Sequence, residues 1–234
     1  NTPVKYDYGA EAAPSGSGFG SGAYVAFTKR TMVGDGGAET EWVKEYRDPV
    51  GNAYRTLYPG AAESLAVYDA KNDIVKQTDP DGLITHFRRG YGYDASLPGT
   101  ADDWKGDWQL TVAEMDGNSQ IDFNGLDRIT LSRRWVSNES GAPFNGRDLV
   151  RQRTDVWTTN NTATTRATVS ESDTTTNGLE SWSFAGGPPG TGLMSHSATT
   201  INATAHTVTV VATNPDGTSS ESLTTNGRQD TVAA

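Results

Sequence analysis

Apolar and polar residues alternate along most of this chain in short runs, as in Glu41-Trp42-Val43-Lys44-Glu45-Tyr46 and the stretch from Arg128 to Val136. A period of two sends one set of side chains toward a core and the other toward water, so each run predicts a half-buried β-strand. Between the runs stand Asp48-Pro49-Val50-Gly51, Asp79-Pro80-Asp81-Gly82 and Asn214-Pro215-Asp216-Gly217. Proline presets φ at the first central position of a turn, and glycine accepts the positive φ that closes it. The pattern predicts an all-β chain of successive antiparallel hairpins forming a curled or spiralling sheet.

The runs place strands at Ala23–Met32, Glu41–Tyr46, Asn52–Tyr58, Ser64–Tyr68, Asp73–Thr78 and Leu83–Arg88. Further strands are expected at Gln109–Met115, Gln120–Phe123, Arg128–Val136, Leu149–Thr158, Thr207–Ala212 and Ser219–Thr225. Asn124-Gly125 is the strongest short hairpin signal among their connections. The text divides into an N-terminal part, 1–37, with a strand and a flexible Gly/Ser tract, and a repeat-like body, 38–234. Loop insertions are expected near 90–106 and 138–148, and the Thr-rich stretch 158–177 reads as edge strands or a mobile arm.

Composition narrows the picture in two ways. Apolar residues make up only 34% of the 234, but six Trp, nine Tyr and six Phe allow thin, ring-based cores. Twenty-nine acids against 19 bases give a net charge of −10, which disfavours nucleic acid as a partner. No apolar run suggests a membrane-embedded segment, and the start at Asn1 reads as processed or excerpted. Cysteine is absent, which removes disulfides and thiolate metal sites without fixing a compartment.

The segment Tyr68-Asp69-Ala70-Lys71-Asn72-Asp73-Ile74-Val75-Lys76-Gln77-Thr78-Asp79-Pro80-Asp81-Gly82 resembles one whole tyrosine-aspartate (YD) repeat of bacterial Rhs proteins and their relatives. Asn124-Gly125-Leu126-Asp127-Arg128-Ile129-Thr130 is similar to the glycine-arginine half of that repeat, as is Thr207 through Arg228. Asn72 stands where the family has glycine, and Asp73 where an arginine is usual. The resemblance implies a spiral of hairpins that winds into a hollow shell for containment or display, outside the cell or on its surface. A chain of this length would supply an arc of such a shell, and an arc exposes strand edges that invite self-association or pairing with other segments of a longer YD-repeat chain.

Candidate chemistry is sparse. Asp79-Pro80-Asp81-Gly82-Leu83 looks like the self-cleavage motif of Rhs proteins, but the same turn closes internal hairpins and is read here as structural. His86, His196 and His206 share no metal-ligand spacing, and Asp116–Asp122 has Ile121 where a calcium loop needs glycine. These positions predict no metal, cofactor or catalytic residue. The best ligand candidate is Asp102-Asp103-Trp104-Lys105-Gly106-Asp107-Trp108, where two indoles beside carboxylates suit a glycan. The plainer reading pins a long loop to the body by Trp104 and Trp108. The expected function is a non-catalytic extracellular scaffold, shell-wall segment or self-assembling fibre subunit. The alternatives are a carbohydrate-binding surface module that uses Trp104, Trp108, Asp102, Asp103 and Asp107, or a shell fragment of a larger toxin-delivery polypeptide.

Overall fold

The computed structural model describes residues 3–13, 23–34, 37, 39–94, 97–157, 166–226 and 228–233. Sixteen strands form one antiparallel sheet whose spatial order is the chain order. They are β1 (Val4–Ala12), β2 (Tyr24–Val33), β3 (Glu39–Arg47), β4 (Ala53–Leu57), β5 (Glu63–Tyr68), β6 (Ile74–Thr78), β7 (Ile84–Tyr91) and β8 (Asp107–Ala113). The series continues with β9 (Arg128–Glu139), β10 (Arg147–Trp157), β11 (Arg166–Thr175), β12 (Glu180–Ala185), β13 (Leu193–Asn202), β14 (Thr207–Thr213), β15 (Ser219–Thr225) and β16 (Arg228–Ala233). Short 3-10 turns occur at Pro59–Ala61 and Ala101–Trp104. The fold is therefore all-β and made of successive hairpins, as the alternating pattern predicts.

Three expectations need correction. Gln120–Phe123 is not a strand. Asp116, Asn118 and Asp122 each accept the N–H two residues ahead, and Asp127 accepts that of Asp122. Side chains that satisfy the backbone locally compete with a sheet ladder, and here they win. The insertion near 138–148 is smaller than expected, because Asn138 and Glu139 end β9 and Arg147 begins β10. The described part of the Thr-rich stretch is β11, an interior strand paired on both sides, not an edge. Its residues 158–165, like the Gly/Ser tract at 15–22, lie outside the described residues.

The chain packs as two compact units, residues 1–87 with 113–121 and residues 88–112 with 122–234. The core of the first unit is tyrosine-rich: Val25, Tyr46 and Tyr54 are buried together, with Phe27, Leu57 and Tyr68 against them. In the second, Trp108, Leu110, Ile129, Leu131, Leu149, Trp157, Trp182 and Phe184 are buried on β8 to β12. The connection 92–106 contributes buried Leu97 and Trp104 to this unit, and the connection 140–146 contributes Phe144. Phe144 meets Trp182 edge-on at 5.2 Å, the geometry that the ring quadrupoles favour.

Candidate functional site

The turn residues read from sequence share one geometry. At Asp48, Asp69, Asp79 and Asn214 the residue's N–H bonds to the carbonyl four positions ahead, at 2.8–2.9 Å, and its own carbonyl accepts the N–H three ahead, at 2.9–3.0 Å. The fourth residue is left-handed each time: Gly51 (φ 98°), Asn72 (φ 73°), Gly82 (φ 86°) and Gly217 (φ 84°). A type I turn closed by a left-handed residue produces such a bulged hairpin. Asn72 thus does the work of glycine in the Tyr-Asp turn. Pro49, Pro80 and Pro215 occupy the position where a fixed φ near −65° fits without strain. Asp48 accepts N–H groups from Val50 and Asn52. Burial opposes ionisation of its carboxyl, but these bonds hold it below the usual aspartate range.

The tryptophan-acid segment is an anchor. Trp104 is fully buried and Trp108 nearly so. Their indole N–H groups donate to the carbonyls of Pro98 at 2.7 Å and Gly92 at 2.8 Å. The rings meet edge-on at 5.2 Å, and Trp104 also stacks on Trp157 at 6.4 Å. Neither ring offers solvent a face on which a sugar could stack. Asp103 accepts the backbone N–H and hydroxyl of Thr100 and pairs with Arg166 at 2.5 Å. Burial works against its charge, yet Thr100 and the two nearby guanidinium groups hold its carboxyl below the ordinary value. Asp102 pairs with Lys105 at the surface. Asp107 is exposed on β8, so the five candidate residues do not converge on one site.

What sequence reasoning missed is a charged ladder buried inside the second unit. Arg133, Arg151, Arg153, Asp155, Glu171 and Asp173 occupy the inward positions of β9, β10 and β11, where cross-strand partners share a face. Arg133 meets Asp155 at 2.9 Å, and Arg153 meets the other oxygen of the same carboxylate at 2.8 Å. Arg151 bridges Glu139 at 2.6 Å, Asp173 at 3.0 Å and, by a shorter contact, Glu171. Arg133 also donates to the carbonyls of Asp102 and Asp103, which ties the connection 92–106 to the ladder. Asp155, Glu171 and Asp173 are out of reach of solvent. Burial, then the charge and hydrogen bond of Glu171, push Asp173 up to about 6 against the opposing pull of Arg151. Two carboxyls at alternate positions of one strand thus face the same guanidinium, that of Arg151.

The sequence signal for this ladder is Leu149-x-Arg151-x-Arg153-x-Asp155-x-Trp157, in which charges keep the parity of two apolar residues. On the opposite, outward face of the same unit, Gln109, Ser132, Arg134, Gln152, Ser172 and Ser183 line an open trough of about 820 Å³. It is the polar side of an ordinary half-buried sheet. His86 faces Glu114 at 3.3 Å. The N–H of Ser119, then His86, hold the Glu114 carboxyl below its usual value. His196 stacks on Trp182 at 5.0 Å, and His206 sits in the turn between β13 and β14. Among the described residues no group of three or more His, Asp or Glu could hold a metal ion, and no helix is long and apolar enough to cross a membrane.

No protein-family model matches this chain, and no curated protein matches it.

Proposed function

We propose that the chain is a structural element, a hairpin-built scaffold or shell-wall segment of the YD-repeat kind, placed outside the cell and able to join copies or neighbouring segments along strand edges. One observation carries this reading: the strands succeed one another in chain order from β1 to β16, so among the described residues the outer edges of β1 and β16 have no strand partner. Unpaired ladders template further pairing. The buried ladder supports the same reading, since its acids and guanidinium groups bind one another and the connection 92–106. The repeated turn supports it too, because one self-contained geometry closes hairpins in both units.

The test is the mass of native particles by light scattering, with electron microscopy of the same sample. The expected result is a defined polymer, ring or filament whose subunit contacts consume strand edges. A monomer that stays monomeric at high concentration sinks the assembly reading.

A further inference from the structure

The two faces of strands β1 to β3 are used very differently. On one, Lys5 pairs with Glu39, Lys44 with Glu11, and Val25 packs with Tyr46. On the other, Tyr6, Tyr8 and Tyr24 stand 53%, 73% and 75% exposed. The register places them on one face: Tyr6 lies opposite Arg30, Tyr8 opposite Thr28, Ala10 opposite Ala26 and Ala12 opposite Tyr24. Tyr6 and Tyr8 hold their rings 6.4 Å apart and 12° from parallel. Between them and Tyr24 lies a floor of Ala10, Ala12 and Ala26, too short to fill the space between the rings. The rows from Tyr6 to Tyr24 are six steps of strand, about 20 Å.

This row runs into a cavity of about 210 Å³ lined by Arg30, Met32, Glu41, Val43, Tyr58 and Pro59. Arg30 is the cross-strand neighbour of both Tyr6 and Val43, and Met32 of Glu41, so cavity and ring row share a face. Neither Arg30 nor Glu41 has a hydrogen-bond or ion-pair partner among the described residues. A free five-donor fork and a free carboxylate therefore border one small, mostly apolar hollow.

We infer that this face is a binding platform for a neutral polysaccharide chain. Each tyrosine combines an apolar ring with a polar tip, which suits the C–H face and the hydroxyl rim of a sugar. Arg30 donates to sugar hydroxyls and Glu41 accepts from them, and their opposite charges leave no net field to select an anion. The concave, largely apolar hollow with a few placed polar groups is the usual form of a small-molecule subsite. An extended glycan lies along the ring row with one unit in the cavity. A second copy of the chain fits less well, because this face offers about a dozen residues against the 20–30 a side of a standard protein interface.

The experiment is native affinity electrophoresis of the full chain in gels cast with hydroxyethyl cellulose, xylan or galactomannan. Dextran sulfate serves as the polyanion control. Retardation by at least one neutral glycan is expected. Tyr8→Ala and Tyr24→Ala should each weaken it about tenfold, the scale of one aromatic stacking contact, while Tyr8→Phe keeps it. Arg30→Ala should weaken it as well. All three positions are exposed, so circular dichroism should show each variant folded. Indifference to all three neutral glycans overturns the inference, as does retardation by dextran sulfate alone or retardation that survives both tyrosine-to-alanine changes. A particle mass that Tyr8→Ala halves, without glycan binding, overturns it in favour of self-docking and leaves the edge-assembly reading to its own test.

Discussion

The two units solve the same problem, a thin sheet with few aliphatic residues, by opposite means. The first keeps its Lys–Glu pairs near water, with Glu114 beside His86 as its buried charge: the Lys5–Glu39 and Lys44–Glu11 pairs are partly exposed, and buried tyrosines fill its core. The second draws arginines and acids inside, under tryptophan and phenylalanine. Surface pairs contribute little to stability, whereas one member of a buried pair cannot be removed without stranding the other. The difference teaches that the inward face of a strand tolerates charge when neighbouring strands bring the counter-charge in register. It also makes the second unit the more brittle toward single substitutions.

The sharpest way to break the contrast is Arg151→Met. It leaves Asp173 buried without its guanidinium and Glu171 with only the longer Arg153 contact at 3.8 Å, and should cost about 3–5 kcal/mol. Five of the six tryptophans lie in the second unit, so denaturant unfolding followed by indole fluorescence reads that unit selectively. A loss below about 1 kcal/mol would mean that the ladder is incidental to stability.

Proton linkage separates the units next. Asp173 sits at about 6 in the folded chain against 3.8 when free, so the folded state binds the extra proton between those values. Its contribution is present at low pH and is lost as pH rises through 6. In the first unit Glu11 lies below its ordinary value, held there by Lys44 and then Tyr46. Its contribution is present above pH 4.5 and lost as pH falls. Fluorescence melts should therefore show the second unit weakening by on the order of 2 kcal/mol from pH 4 to pH 7, a slope that Asp173→Asn removes. An unchanged slope in that variant would assign the effect elsewhere.

Smaller substitutions sharpen the comparison. Gly82→Ala forces a side chain into a left-handed turn position with open space around it, so its cost of about 1–2 kcal/mol is purely conformational. Tyr46→Phe removes the hydroxyl that donates to Glu11 at 2.6 Å and should cost about 1 kcal/mol in the first unit. Lys5→Ala should leave the melting temperature unchanged. A drop there would show that exposed pairs matter to this unit after all.

Most of the strands were legible because turn chemistry and alternation are local. Asp48, Asp79 and Asn214 carry their own hairpin instructions, and even Asn72 in the glycine position follows from its tolerance of positive φ. What escaped the sequence is long-range. Nothing local tells that Arg151 reaches Asp173 across a strand pair, or that Trp104 turns inward to the Pro98 carbonyl while Tyr8 stays out. Gln120–Phe123 misled for the opposite reason, since polar side chains met the backbone's needs before a partner strand could. The tryptophans drew attention as a ligand site because they are large, but large rings are the first to be buried when aliphatics are scarce.

The identity of chain order and strand order also bears on how the molecule comes into being. Every strand finds its partner in the segment made just before it, so each pairing closes a short loop and none waits for a distant part of the chain. Such topologies lower the entropic barrier to folding and let structure accumulate during synthesis. At any moment the latest completed strand is the seed for the next. Growth of this kind is zipper-like, each strand extending the sheet beside it.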